Sequence, residues 1–421
     1  MTDDSGTAAS GHGRPPMPVD EARDRIIDTI TPVAASAQIA LPDALHRVLA
    51  EPVVATVNVP SATNASMDGY ALAFEAESST TACFELVGRS LAGHPSEATL
   101  RPGQCVRIMT GAVVPAGADA VVMQENTSVE TDGRIAVSPC PARGENLRHA
   151  GEDIRAGDVV VPAGQYLRPA DIALLASVGR ARVAVYRRPR VAFFSTGDEL
   201  RPIDGSLAVG EIYDSNRYGL AASLAELGMD GVNLGAIPDD RAALRTAFDK
   251  ARDCDALITS GGVSVGEADH VVDLLGEYGD IDFWRVAIKP GKPLAYGRVG
   301  RALFFGLPGN PVSTAVTFIQ LVRPALVKLA GGSPAAPVRT TLPTTTALTK
   351  RPGRAHYLRA CINDATDSPG VTALGHQGSG VMHSMSRADA FIVLPADAAN
   401  VPAGSEVVVE PFAQTIWGSP S

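Results

Sequence analysis

A chain of 421 residues is too long for one ordinary core and predicts about three domains. Hydrophobic residues at 45% suit a globular protein, and a net charge of −10 without any lysine/arginine cluster argues against a nucleic-acid surface. No apolar run reaches the ~18 residues of a membrane span, and the five cysteines form no CxxC pair, so neither a membrane protein nor a disulfide or zinc scaffold is expected.

The start, MTDDSGTAASGHGRPPMP, is acidic and rich in Gly, Ser and Pro, so residues 1–17 read as a disordered tail rather than a signal peptide. Beyond it, VDEARDRIIDTI has the spacing of an amphipathic helix, and LPDALHRVLAEPV reads as a second, short one. From about 57 to 149, short β-rich runs (CFELVGRSL, QCVRIMTG, DAVVMQENTSVE, GRIAVS) are divided by Gly and Pro. They predict a β-rich insert within an N-terminal region of 18–188, which closes with the helix PADIALLASVG and the strand RVAVYRR.

Over 189–331 strands and helices alternate. RVAFFSTG, GVNLGAIP, DALITSGG, FWRVAIKPG and ALFFGLPG read as strands. SNRYGLAASLAELG, DRAALRTAFDKARD and EADHVVDLLGEYG read as helices, and a last helix starts at NPVSTAVTF with Asn310 as N-cap and Pro311 at its first position. The alternation predicts a doubly wound parallel α/β domain. GGSPAAP marks a linker. YLRACIN, GVTALGH, AFIVLP and EVVVEPF predict a small C-terminal β domain over 332–412, followed by a tail at 413–421.

In an open parallel sheet, ligands bind outside the carboxyl ends of the strands. Here those ends read STGDEL, TSGGVSVGEAD, KPGKP and LPGNP. Glycines let backbone N–H groups approach a ligand, and a following helix N-terminus favours an anion. Thr196, Gly197, Ser260, Gly261, Gly262, Ser264, Pro308, Gly309 and Asn310 are therefore candidate substrate contacts. Lysine is scarce, at five residues among the 36 Lys and Arg, and two of the five, Lys289 and Lys292, lie in KPGKP. There they would add point charges facing a phosphate or oxyanion. Glu199, Asp214 and Asp269 are acidic groups near the same edge, and acidic groups beside an anion site call for a cation such as Mg²⁺. Any one of these loops alone reads equally well as a turn. In the insert, Asp68 reads as a turn residue and Asp153 as a helix cap.

Taken in order, PSATNASMDGYA, RIMTGAVVPAGADAVV, RHAGEDIRAGD, FFSTGDEL, GEIYDSN, ITSGGVSVGEADH, AIKPGKPLAYG, FGLPGNPVS and GHQGSG resemble the MoeA family, the molybdopterin molybdenumtransferases, across residues 18–412. The E domain of gephyrin is a relative. The resemblance implies an elongated multidomain chain whose α/β domain resembles the molybdopterin adenylyltransferase fold. It implies adenylylated molybdopterin and molybdate as substrates, with divalent-cation-dependent cleavage of the adenylate and release of AMP. It also implies a cytoplasmic homodimer, with the cleft between the α/β domain of one subunit and the insert of the other, and contact with other enzymes of the cofactor pathway.

Carried over by position, Asp68, Thr110, Asp153, Glu199 and Asp269 are the expected catalytic residues, with Glu199 and Asp269 near metal and phosphoanhydride. Lys289 and Lys292 are expected near phosphate or molybdate, and Ser379 of GHQGSG is expected to reach the cleft. One departure stands out: Ala65 lies where the family often has serine, which puts a local hydrogen bond and the surroundings of the metal in doubt. The other readings are a pterin adenylyltransferase or nucleotide pyrophosphatase on the same α/β unit, and a non-catalytic scaffold relative.

Overall fold

The computed structural model describes residues 16–75, 81–262, 270–279, 281–291, 293–363, 369–413 and 416–418. Its centre is a six-stranded sheet in the order Asp230–Ile237, Arg190–Thr196, Ala256–Ser260, Ala302–Leu307, Pro293–Val299 and Ile281–Arg285. The first four strands are parallel, as expected of buried runs such as RVAFFST, in which Val191 to Thr196 are all buried.

Pro293–Val299 runs against these four, and Ile281–Arg285 pairs antiparallel with it, which the alternation of motifs did not predict. The cause is local. Val299 pairs with Ala302, leaving only Gly300 and Arg301 as the loop, and Gly300 adopts φ +59°. So short a connection permits only a hairpin.

Apolar clusters lie on both faces of this sheet. One gathers Ala192, Phe194, Leu244, Phe248, Leu274 and Phe304. The other gathers Phe193, Leu224, Phe305, Val316 and Leu326, and it also takes Val19, Ala22 and Ile26 of the helix Val19–Asp28. The N-terminal amphipathic helix therefore packs on the α/β domain rather than on the region that follows it in sequence. The helical run Pro311–Leu329 is long and apolar enough to cross a membrane by length and composition, but most of it is buried in this core.

The strand Ser36–Ala40 returns to pair with Arg182–Tyr186. The expected second helix shrinks to a 3₁₀ turn at Leu41–Ala44. Beyond it, His46 takes φ +62°, and Val48 bridges to Tyr166. A left-handed residue ends a helix, and the chain leaves in extended form to join the 165–167 segment.

The insert is a six-stranded sheet in the order Ala120–Met123, Gly69–Leu72, Gln104–Ile108, Ala82–Ser90, Ile135–Val137 and Thr127–Val129. Gly69 is demanded by this sheet, since a Cβ there would lie 1.7 Å from the Val122 carbonyl oxygen. The C-terminal sheet runs Ile288–Lys289, Ala355–Asn363, Ala390–Leu394, Glu406–Pro411 and Thr340–Pro343, with Gly370–Ala373 paired to Ala355–Asn363. Its first member belongs to the KPGKP segment, so the chain crosses from the α/β sheet into the C-terminal sheet and back.

Candidate active site

The carboxyl edge of the parallel strands gathers the four loops. Gly261 donates its N–H to the Leu307 carbonyl at 3.0 Å, tying TSGG to LPGNP. It has φ +92°, and a Cβ would sit 2.5 Å from the Thr196 carbonyl oxygen, so only glycine fits between these strand ends. Gly309 lies against Gly261 from the other side. Pro293–Val299 runs antiparallel to Ala302–Leu307, so the KPGKP turn that precedes it lies at the same edge. Gly291 of that turn packs against Thr317 and Ser313 of the helical run Pro311–Leu329.

The C-terminal domain closes on this edge. Val312, at the start of that helix, donates its N–H to the Ser379 carbonyl at 2.9 Å. The GHQGSG loop around Ser379 is built on Arg359, which is 0% exposed. Its Nε donates to Ser384 Oγ at 3.0 Å, and its Nη2 donates to the carbonyls of His376 and Gly378 at 3.2 and 3.0 Å. Gln377 clamps the same residue, accepting from its N–H at 3.0 Å and donating to its carbonyl at 2.8 Å. Arg359 Nη1 is buried without a partner among the described residues. Buried donors are rarely left so.

Several expected ligand contacts prove to hold the loops in place. Ser260 Oγ receives Asn216 Nδ2 at 2.7 Å, and the same amide reaches the Gly309 carbonyl at 2.7 Å. The Thr196 hydroxyl donates to Asp239. Asp214 is 1% exposed and caps the helix Ser215–Glu226, accepting from Ser195 Oγ at 2.9 Å and from Arg217 Nε at 2.7 Å. The cap is therefore Asp214, the residue just before the run SNRYGLAASLAELG read as helical. Asn310 stands at the N-cap of its helix with no side-chain cap bond, and its side chain is exposed.

Asn216 and Arg359 were missed by sequence reasoning. The first looks like an ordinary helix-start residue. The only signal for the second is an arginine inside an apolar strand, YLRAC.

Two charged groups remain available. Lys289 is exposed, with no ion pair or hydrogen bond to its ammonium among the described residues. Glu199 is likewise exposed, and its carboxylate lies over Gly197, within 2.5 Å of where a Cβ would be. Ser264, Asp269 and Lys292 lie outside the described residues. No group of three or more His, Cys, Asp or Glu converges among the described residues.

The insert holds a separate constellation. Thr110 donates both its N–H and its hydroxyl to Asp68 Oδ1, each at 2.7 Å. These two bonds, with Arg107 adding a smaller Coulomb attraction, hold the Asp68 carboxyl below its ordinary pKa. Asp153 is exposed in the neighbouring turn, where its N–H meets the Val59 carbonyl at 3.0 Å. Ala65 is 0% exposed among Ala71, Ile108, Ala112 and Val121, so the position expected to carry a hydroxyl is an apolar core position here. Among the described residues no hydrogen bond or ion pair joins Asp68, Thr110 or Asp153 to Glu199 or Lys289.

This is a multidomain α/β protein whose glycine-rich strand ends meet a docked C-terminal loop. Residues 17–179 match the MoeA N-terminal region (domain I and II), 192–328 a probable molybdopterin binding domain, and 341–412 the MoeA C-terminal region (domain IV). The chain is 40% identical to the molybdopterin molybdenumtransferase of Haemophilus influenzae over 94% of this chain and 98% of that one. It is 34% identical to molybdopterin molybdenumtransferase 2 of Mycobacterium tuberculosis over 92% of this chain and 98% of that one. The crystal structure of the molybdopterin biosynthesis MoeA protein of Pyrococcus horikoshii OT3 superposes with a TM-score of 0.81 at 27% identity, covering 94% of this chain and all of that one. The chain belongs to the MoeA family. The match to all three parts, not the α/β unit alone, disfavours a stand-alone adenylyltransferase or pyrophosphatase.

Proposed function

We propose that the protein is a molybdopterin molybdenumtransferase, which inserts molybdate into adenylylated molybdopterin and releases AMP. The observation that carries this reading is the bond from Val312 N–H to the Ser379 carbonyl. It joins the C-terminal loop around Ser379 to the start of the helix that follows Asn310.

The division of labour follows from the geometry. Asp214, Thr196, Ser260 and Gly261 spend their polar atoms holding the loops in register. Lys289 supplies positive charge for a dianion, with Lys292 as a further candidate. Gly309 leaves room for the substrate to approach the backbone, while Gly197 and Gly262 make room for Glu199 and for Val271 and Thr196; Pro308, Ser264 and Ser379 border the substrate. Mg²⁺ takes one or two carboxylates and keeps waters and phosphate oxygens as its remaining ligands. Glu199 with Asp269 fits that modest demand. Bound there, the ion would neutralise charge on a phosphoanhydride.

Asp68, Thr110 and Asp153 enter the reaction as part of a homodimer, with the insert of one subunit facing the α/β edge of its partner. That no hydrogen bond or ion pair joins them to Glu199 among the described residues accords with this. So does the exposed apolar surface beside the edge, where Ile203, Leu207, Val209 and Ile212 are all exposed. The five unpaired cysteines suit the reducing cytoplasm. Contact with other enzymes of the cofactor pathway belongs to the same reading.

The test is AMP release from adenylylated molybdopterin with Mg²⁺ and molybdate. Molybdate-dependent release that Glu199→Gln and Asp269→Ala each abolish supports the assignment. Binding of the adenylate without AMP release under any divalent cation overturns it in favour of a scaffold relative.

A further inference from the structure

Lys289 and His356 are register partners where Ile288–Lys289 pairs in parallel with Ala355–Asn363, so their side chains leave the sheet on the same face. His356 is 4% exposed, and among the described residues neither of its ring nitrogens has a hydrogen-bond partner. A buried imidazole ordinarily finds at least one. On its other side His356 pairs with Leu394, which offers none.

The charges that act most strongly on the ring are all positive. Lys289, Arg359, Lys350 and Arg354 are all cations, and no carboxylate is among them. Lys350 is committed, its ammonium donating to the Ala396 and Ala398 carbonyls at 3.0 and 2.8 Å. Lys289 is not. The result is uncompensated positive charge beside a neutral ring that has both a donor and an acceptor to offer.

We propose that His356 is the proton-linked partner of the oxyanion subsite at Lys289: as a tetrahedral dianion of the molybdate class settles beside the ammonium, the imidazole takes up one proton from solvent and becomes a second cation facing it. This rests on the reading of Lys289 as an oxyanion ligand given above. The balance is one dianion and one proton taken from water, with no bond made or broken in the anion. Before the ligand arrives, burial and then the Lys289 charge hold the His356 pKa down to about 4, so the ring is neutral. Two negative charges nearby reverse the sign of the local field and favour the imidazolium. By linkage, a site that gains a proton on binding must bind more tightly as pH falls, by up to roughly tenfold per pH unit for one full proton.

The experiment is calorimetric titration of the full-length protein with sodium molybdate near pH 6 and pH 7.5, in buffers of different protonation enthalpy. The dependence of the heat on buffer counts the protons taken up. Wild type is expected to take up a proton and to bind several-fold more tightly at the lower pH. His356→Gln and His356→Asn, once shown by thermal melting to be folded, are expected to lose both effects. A proton taken by molybdate itself would be the same in all three proteins. Zero uptake by wild type overturns the proposal whatever the variants do, and so does equal uptake in wild type and variants. If folded wild type binds no molybdate at either pH, or Lys289→Met binds as wild type does, the oxyanion reading of Lys289 fails first and this proposal with it.

Discussion

Asp214 and Arg217 face each other across the first turn of the helix Ser215–Glu226, with Arg217 Nε donating to Asp214 Oδ2 at 2.7 Å and the Arg217 N–H to Oδ1 at 3.2 Å. The carboxylate is 1% and the arginine side chain 13% exposed, so each is the main neutraliser of the other. Removing one partner of such a pair leaves a buried charge and costs about 3–5 kcal/mol. Asp214→Asn keeps a good capping group but loses the charge. Urea denaturation of this variant should therefore show a loss in that range, and a loss below about 1 kcal/mol would mean the cap, not the ion pair, matters.

The Asp68–Thr110 pair makes a separate prediction. The Thr110 N–H is the largest cause of the lowered Asp68 pKa and the Thr110 hydroxyl the next. Thr110→Val removes only the second. The Asp68 pKa should rise part of the way back to its ordinary value, and a carboxyl-carbon NMR titration reads this directly. Asp68 is exposed, so the variant should melt like wild type. An unshifted titration would show that the hydroxyl does not bond the carboxylate in solution.

Most of the α/β domain is legible in the sequence because fully buried parallel strands are apolar throughout, and ALITS or ALFFGL cannot be placed on a surface. The glycine-rich strand ends are legible for the same reason: Gly261 must be glycine whatever the ligand. What escaped detection depends on contacts remote in sequence. Nothing in LPDALHRVL announces that His46 will turn left-handed to let Val48 meet Tyr166. Asn216 acquires its role only when Ser260 and Gly309 arrive from 44 and 93 residues away. Arg359 does so only when the loop after it folds back onto its guanidinium. The residues expected in the insert and at the α/β edge are picked out by motif alone, because their role depends on partners that no local pattern reveals.

Two glycines in neighbouring elements should respond oppositely to alanine. At Gly261 the added Cβ meets a backbone oxygen at 2.5 Å, and φ is +92°. Gly261→Ala should lower stability by more than the ~1 kcal/mol typical of backbone strain alone, because the Thr196 strand end must shift too. It should also abolish AMP release. At Gly219, in the exposed face of the helix Ser215–Glu226, nothing lies within 4 Å of the new atom. Gly219→Ala should stabilise by about 0.5–1 kcal/mol through helix propensity. Melting temperatures that move in the same direction for both would contradict the local geometry.

His356 also predicts how stability changes with pH without any ligand. In the folded chain its pKa is pushed down to about 4 from 6.5, chiefly by burial and next by Lys289. Between those values the unfolded chain binds more protons than the folded one, so stability is fully present above pH about 6.5 and is lost as pH falls towards 4. The full shift corresponds to about 3 kcal/mol. In His356→Gln the group is gone, so the difference in unfolding free energy between pH 7 and pH 4.5 should shrink by most of that amount. Urea denaturation at four or five pH values would measure it. Parallel curves for wild type and variant would show that the imidazole titrates normally in the folded protein, which would place it in water rather than in the core of the C-terminal domain.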